Sequence, residues 1–143
     1  MSQMTWTTAQ QAAIDARGQN LLLSAAAGSG KTAVLTERIK KLITDMDDPA
    51  DITELLVLTF TRASAGEMKT RISSGIAKAL SEAEQEQNTP LARHLSRQLA
   101  LMSSAQISTL DSFFQTLIRR YFYLIDLDPN TKMLTDSNEI YAL

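Results

Sequence analysis

Eight consecutive residues constrain this chain more than any others: Ala25-Ala26-Ala27-Gly28-Ser29-Gly30-Lys31-Thr32. They match the spacing of a phosphate-cradling loop, with Ala25 where the first glycine usually stands. Such a loop works only at an elbow between a strand and a helix. There, successive backbone N–H groups converge on an anion and the helix dipole adds positive potential. The flanks supply both elements. Asn20-Leu21-Leu22-Leu23-Ser24-Ala25-Ala26 reads as a buried strand, while Val34, Leu35, Ile39, Leu42 and Ile43 recur at helical spacing, so a helix starts near Gly30. Gly28 and Gly30 allow the backbone angles and the close approach. Lys31 is placed to reach the β- and γ-phosphates of a nucleoside triphosphate, and the Thr32 hydroxyl to ligate Mg²⁺. The plain alternative is a glycine-rich turn followed by an ordinary surface lysine; the strand before it and the helix after it argue against that.

The rest of the chain alternates in the same way. Asp47-Asp48-Pro49 closes the helical region after the loop. Leu55-Leu56-Val57-Leu58 is a short continuous apolar run, as in a parallel strand covered on both faces. From Ala63 a second amphipathic helix puts Met68, Ile72, Ile76 and Leu80 on one stripe. Residues 82–90 are polar and Gln-rich and read as a surface loop, 91–102 as a helix, and 106–110 as a third short strand. Asp111 or Ser112 then caps a helix bearing Phe113, Phe114, Leu117, Ile118, Tyr121 and Phe122. Its aromatic residues, with Tyr123, suggest either a base-stacking platform or core, and helical spacing favours core. His94, in a polar helix, reads as solvated. Pro129-Asn130 is a turn, and Asp136-Ser137-Asn138-Glu139 has capping-box spacing with so little chain after it that the sequence reads as a piece of something longer. Strands alternating with helices predict an α/β fold with a parallel sheet flanked by helices.

Composition narrows the function classes. Without cysteine there is no disulfide framework or thiolate metal site. No basic and apolar leader opens the chain, and no apolar run reaches membrane-spanning length, so a cytoplasmic protein is the expectation. A net charge of −2 argues against coating nucleic acid by bulk electrostatics. Yet residues 56–78 hold Arg62, Lys69, Arg71 and Lys78 against the single acid Glu67, so any DNA should find that stretch.

Three further stretches then fall into a known order around the loop. Trp6-Thr7-Thr8-Ala9-Gln10-Gln11-Ala12-Ala13-Ile14 resembles the Q motif of superfamily 1 helicases of the UvrD/Rep type. The run Leu56-Val57-Leu58-Thr59-Phe60-Thr61-Arg62-Ala63-Ser64-Ala65-Gly66-Glu67-Met68 resembles their motif Ia, and Ile107-Ser108-Thr109-Leu110-Asp111-Ser112-Phe113 their motif Ib. Within that group, the loop with its following Ala33-Val34-Leu35, and Tyr123-Leu124-Ile125-Asp126-Leu127-Asp128-Pro129, look most like the AddA (RexA) family of helicase–nuclease subunits. The resemblance implies a RecA-like P-loop fold, with residues 1–143 forming the start of the first helicase domain. It implies ATP and Mg²⁺ as cofactors, single- and double-stranded DNA as substrate, an AddB (RexB) type partner subunit, and a role in double-strand-break repair.

Residue by residue, the resemblance makes Gln10 the reader of adenine, an amide able to donate and accept at once. Taken alone, a glutamine before a helix is more simply a solvated side chain. Phe60, Thr61 and Arg62 match positions that touch single-stranded DNA, by ring stacking and phosphate contact; Phe60 is equally readable as the last core residue of its strand. Thr109 and Ser112 match a second DNA-contacting loop. Asp111 stands where the family usually has histidine, and a carboxylate facing phosphate is repulsive, which argues against a direct contact there.

Hydrolysis also needs a carboxylate to hold the metal and a base to orient water. Asp126, after the apolar run from Phe122, is a rival for the metal-holding acid, set aside because helical spacing continues into that run and Pro129 follows. The family's Asp-Glu pair, arginine finger and nuclease carboxylates would lie beyond Leu143, so these residues are expected to bind ATP–Mg²⁺ without hydrolysing it. Two other classes compete: a one-domain phosphate-loop kinase, and a non-catalytic nucleotide-binding or docking module.

Overall fold

One turn of sequence decides how the chain enters its first helix. The Thr7 hydroxyl accepts the Gln10 N–H at 3.3 Å while the Gln10 side-chain oxygen accepts the Thr7 N–H at 2.9 Å, a reciprocal cap that opens α1 (Thr8–Asp15). The computed structural model describes residues 5–26 and 28–124. Ala27, Asp126, the Pro129-Asn130 turn and the cap at Asp136 lie outside them. The chain divides into two compact units, residues 1–109 and 110–143.

In the first unit α2 (Lys31–Thr44) follows the loop, and a 3-10 turn (Ile52–Glu54) leads into β1 (Leu56–Thr59). Helices α3 (Arg62–Gln85) and α4 (Thr89–Leu101) then carry the chain over to β2 (Gln106–Thr109). The two strands pair in parallel, with Leu56 opposite Gln106 and Thr59 opposite Thr109. Ile39 and Ile43 of α2, Ile52, Val57, the α3 stripe Met68, Ile72, Ile76 and Ala83, and Leu95 of α4 form one core. The expected periodicity of α3 is thus borne out, with Leu80 packed at the core's margin.

Four local expectations are corrected. Residues 20–26 form no strand, and Leu22 is 91% exposed. A lone extended segment needs a ladder partner, and this one lies along neither outer edge of the two-stranded sheet. Nor is β1 covered on both faces: Val57 is buried, while Leu56 and Leu58, pointing to the other face, are 48% and 37% exposed. The polar stretch after residue 82 is mostly helix, because Ala83 is buried and its Glu and Gln neighbours are good helix formers on a wet face. His94 is half-buried rather than solvated, its Nε2 lying 3.0 Å from the Ile43 carbonyl oxygen near the end of α2. The α/β class holds, as helices around a two-stranded parallel sheet among the described residues.

A buried amide ties α4 to the turn before β1. Gln98 is fully buried; its Oε1 accepts the Ile52 N–H at 2.8 Å. Gln98→Leu should lower unfolding stability by about 1–2 kcal/mol in urea titration, because it strands that N–H in the core. Beside it, Asp51 caps the 3-10 turn, and hydrogen bonds from the Thr53 hydroxyl and N–H hold its carboxyl below the ordinary value. Asp15 is lowered too, first by Lys41 and then by Gln11. A depressed folded-state value stabilises the fold above the unfolded-state value, and that contribution is lost as pH falls through the folded one. Stability should therefore fall below about pH 4, and Asp51→Asn should flatten that part of the pH profile.

The second unit is described as far as Leu124. Its described residues form α5 (Leu110–Tyr121) and a 3-10 turn (Phe122–Leu124). The helix begins at Leu110, so Asp111 lies in its first turn rather than ahead of it as a cap. The reading of its aromatic residues as core fails for Phe114, Tyr121 and Tyr123, which are 49%, 41% and 64% exposed, while Phe113 and Phe122 are half-buried. None of the described residues of α5 is buried, and Phe114, Ile118 and Tyr121 stand exposed along one apolar stripe. Periodicity reveals an apolar face but not whether anything covers it.

Candidate nucleotide and DNA site

The phosphate loop is built from two glycines in the left-handed region. Gly28 has φ +78° and Gly30 φ +84°, angles that a side chain would strain. Gly30 is also the N-cap of α2, so the chain turns straight from the loop into the helix. The first N–H groups of a helix have no partner within it and point toward the loop side. Lys31, the first residue of α2, folds back over this elbow: its Nζ donates to the Ala25 carbonyl at 2.6 Å and the Ala26 carbonyl at 2.7 Å. The ammonium thus sits on the loop, held by two neutral oxygens. A triphosphate oxygen, carrying net charge, is a better acceptor for it than either. Thr32 is exposed at the same helix end. Positive charge, the first amides of a helix and a hydroxyl at one helix N-terminus fit a phosphate chain with its divalent ion.

Helix α1 lies against this elbow. Ala13 and Ile14 pack on Val34, with Trp6 and Leu23 at the margin. Gln10 projects from it to the loop, where its Nε2 donates to the Ser29 carbonyl at 3.2 Å. Gln10 is therefore not a solvated side chain. Both ends of its amide are engaged, one in the helix cap and one on the loop. The capping signal Thr7-Thr8-Ala9-Gln10 was legible in the sequence and passed unread.

The second cluster lies where β1 ends. Phe60 is 93% exposed, which removes its reading as a core residue. Thr61 caps α3, accepting the Ser64 N–H at 3.1 Å, and Arg62 is exposed in the first turn. Among the described residues Arg62 forms no ion pair. An aromatic ring, a hydroxyl and a guanidinium at a helix N-terminus suit a base and its phosphate. Thr109, at the end of β2, is only 6% exposed, so its side chain faces inward. Ser112 is half-buried in the first turn of α5, in the other unit. A groove of 570 Å³ between α2 and α3 lies away from both clusters; its Lys40 and Lys78 are paired with Glu37 and Glu82.

Among the described residues no helix is long and apolar enough to cross a membrane. Residues 6–142 match the UvrD/REP helicase N-terminal domain, and the chain belongs to that family. Proteins described as ATP-dependent helicase/nuclease subunits are similar to it throughout. The Lacticaseibacillus casei (strain BL23) protein is 49% identical over 138 residues, covering 96% of this chain and 11% of the relative. The Clostridium novyi (strain NT) protein is 53% identical over 133 residues, covering 93% and 10%. The Bacillus licheniformis protein is 54% identical over 125 residues, covering 87% and 10%. The chain thus spans about a tenth of the length of these relatives.

Proposed function

We propose that this chain is the ATP-binding opening of the first RecA-like domain of a DNA helicase/nuclease of the AddA type. The observation that carries the reading is the Lys31 ammonium lying across a left-handed two-glycine elbow at the head of α2. Ala25, Ala26, Ala27, Gly28, Ser29 and Gly30 would wrap the phosphates, with Lys31 on the β- and γ-phosphates. Thr32 would ligate Mg²⁺, and Gln10 would turn its amide from the Ser29 carbonyl to adenine. Phe60, Thr61 and Arg62 would grip single-stranded DNA without regard to sequence. Thr109 and Ser112 would each add a hydroxyl contact to the DNA backbone. In the whole protein, bound ATP supplies the free energy of hydrolysis for stepping along DNA. Work beside an AddB-type partner in cytoplasmic double-strand-break repair fits relatives that are described as one subunit of a helicase/nuclease.

Calorimetric titration tests the reading directly. ATP with Mg²⁺ should bind at one site, and this chain alone should not turn it over, even with oligo-dT present. Absence of nucleotide uptake would refute the proposal, and DNA-stimulated hydrolysis by these residues would refute its division of labour.

A further inference from the structure

Helix α1 has eight residues, too few to be stable alone, so its placement depends on what holds it. Its N-terminal half reaches the phosphate loop through Gln10. Its C-terminal end is held from α2 by Arg38. Arg38 Nη1 donates to the Ala13 carbonyl at 2.8 Å and to the Ala16 carbonyl, with the Ile14 carbonyl at the margin of reach, 3.4 Å away. Carbonyls at a helix C-terminus lack intrahelical partners and carry the negative end of its dipole, and the two N–H groups of one guanidinium nitrogen can satisfy two of them at once. Arg38 stands seven residues after Lys31, two turns along the same face of α2. Ala13 and Ile14 also pack on Val34, a contact without direction along the helix, while the other polar ties, Asp15 with Lys41 and, just past the helix end, Arg17 with Asp45, lie near the surface and are weak.

We infer that Arg38 is a positioning residue for base recognition. It fixes α1 on the helix that bears Lys31 and Thr32, and so fixes how far Gln10 stands from the bound phosphates. The proposal rests on the nucleotide reading given above. A bidentate amide discriminates bases only when its distance to them is held, whereas the phosphate grip belongs to the loop and α2 and does not pass through α1.

Competition titrations with ATP, GTP and inorganic tripolyphosphate, each with Mg²⁺, separate the two. The protein should prefer ATP to GTP. Arg38→Met should shrink that preference about tenfold while tripolyphosphate affinity stays within about twofold. Arg38→Lys keeps one charged donor and should lose about threefold, and it provides the readout if the methionine variant does not fold. An unchanged ATP-to-GTP ratio in the folded variants overturns the role of Arg38. Equal loss of tripolyphosphate and ATP overturns it as well, since a merely structural residue would do that. If the unaltered protein binds neither ATP nor tripolyphosphate, the nucleotide reading itself has failed.

Discussion

Replacing Lys31 with alanine should weaken ATP–Mg²⁺ binding ten- to a hundredfold while leaving the melting temperature almost unchanged. The size follows from charge-assisted hydrogen bonds, worth about 1.5–3 kcal/mol where the partner is ionised. The neutral melting behaviour follows from where the side chain lies. Its ammonium bonds only two loop carbonyls, at the surface, and contributes nothing to the core built on Ile43, Ile72 and Leu95. Those carbonyls can turn to water when the lysine goes. Fluorescence titration with a labelled ATP analogue, run beside thermal melts, checks both halves. A Lys31→Ala protein that binds ATP as tightly as the unaltered one would show that the elbow is only a turn.

The same residues show why some of this architecture was legible in the sequence and some was not. Gly28, Gly30 and Lys31 announce themselves because few backbone paths tolerate them together, and α2 starts where the loop spacing requires. The stripe Met68, Ile72 and Ile76 was legible because a 3.6-residue period leaves one interpretation once the face is buried. Strands are different. The leucines at 21–23 carry a strand's composition, yet a strand exists only if another lies beside it, and that is a fact about distant chain. The apolar face of α5 fails for the same reason, since hydrophobicity does not say what will cover it. Gln98, His94 and Arg38 were missed because a polar residue on a helix reads as solvated until a remote carbonyl or N–H is known to face it.

Phe60→Ala combined with Arg62→Ala should reduce affinity for oligo-dT by a hundredfold or more at low salt. One stacked base contributes about 1–3 kcal/mol, and loss of a phosphate contact adds to it. The two terms separate by ionic strength. Arg62→Ala alone should lower the slope of log affinity against log salt by about 0.7, because one fewer counterion is released from a single strand, whereas Phe60→Ala should leave that slope intact. Neither side chain is packed, Phe60 being 93% exposed, so both variants should melt with the unaltered protein. ATP binding should be unchanged as well, since neither residue belongs to the Lys31 elbow. Filter binding across a salt series decides the matter. If the double variant keeps its affinity, the DNA path does not run over the end of β1, and an aromatic ring so fully open to water would need another partner to explain it.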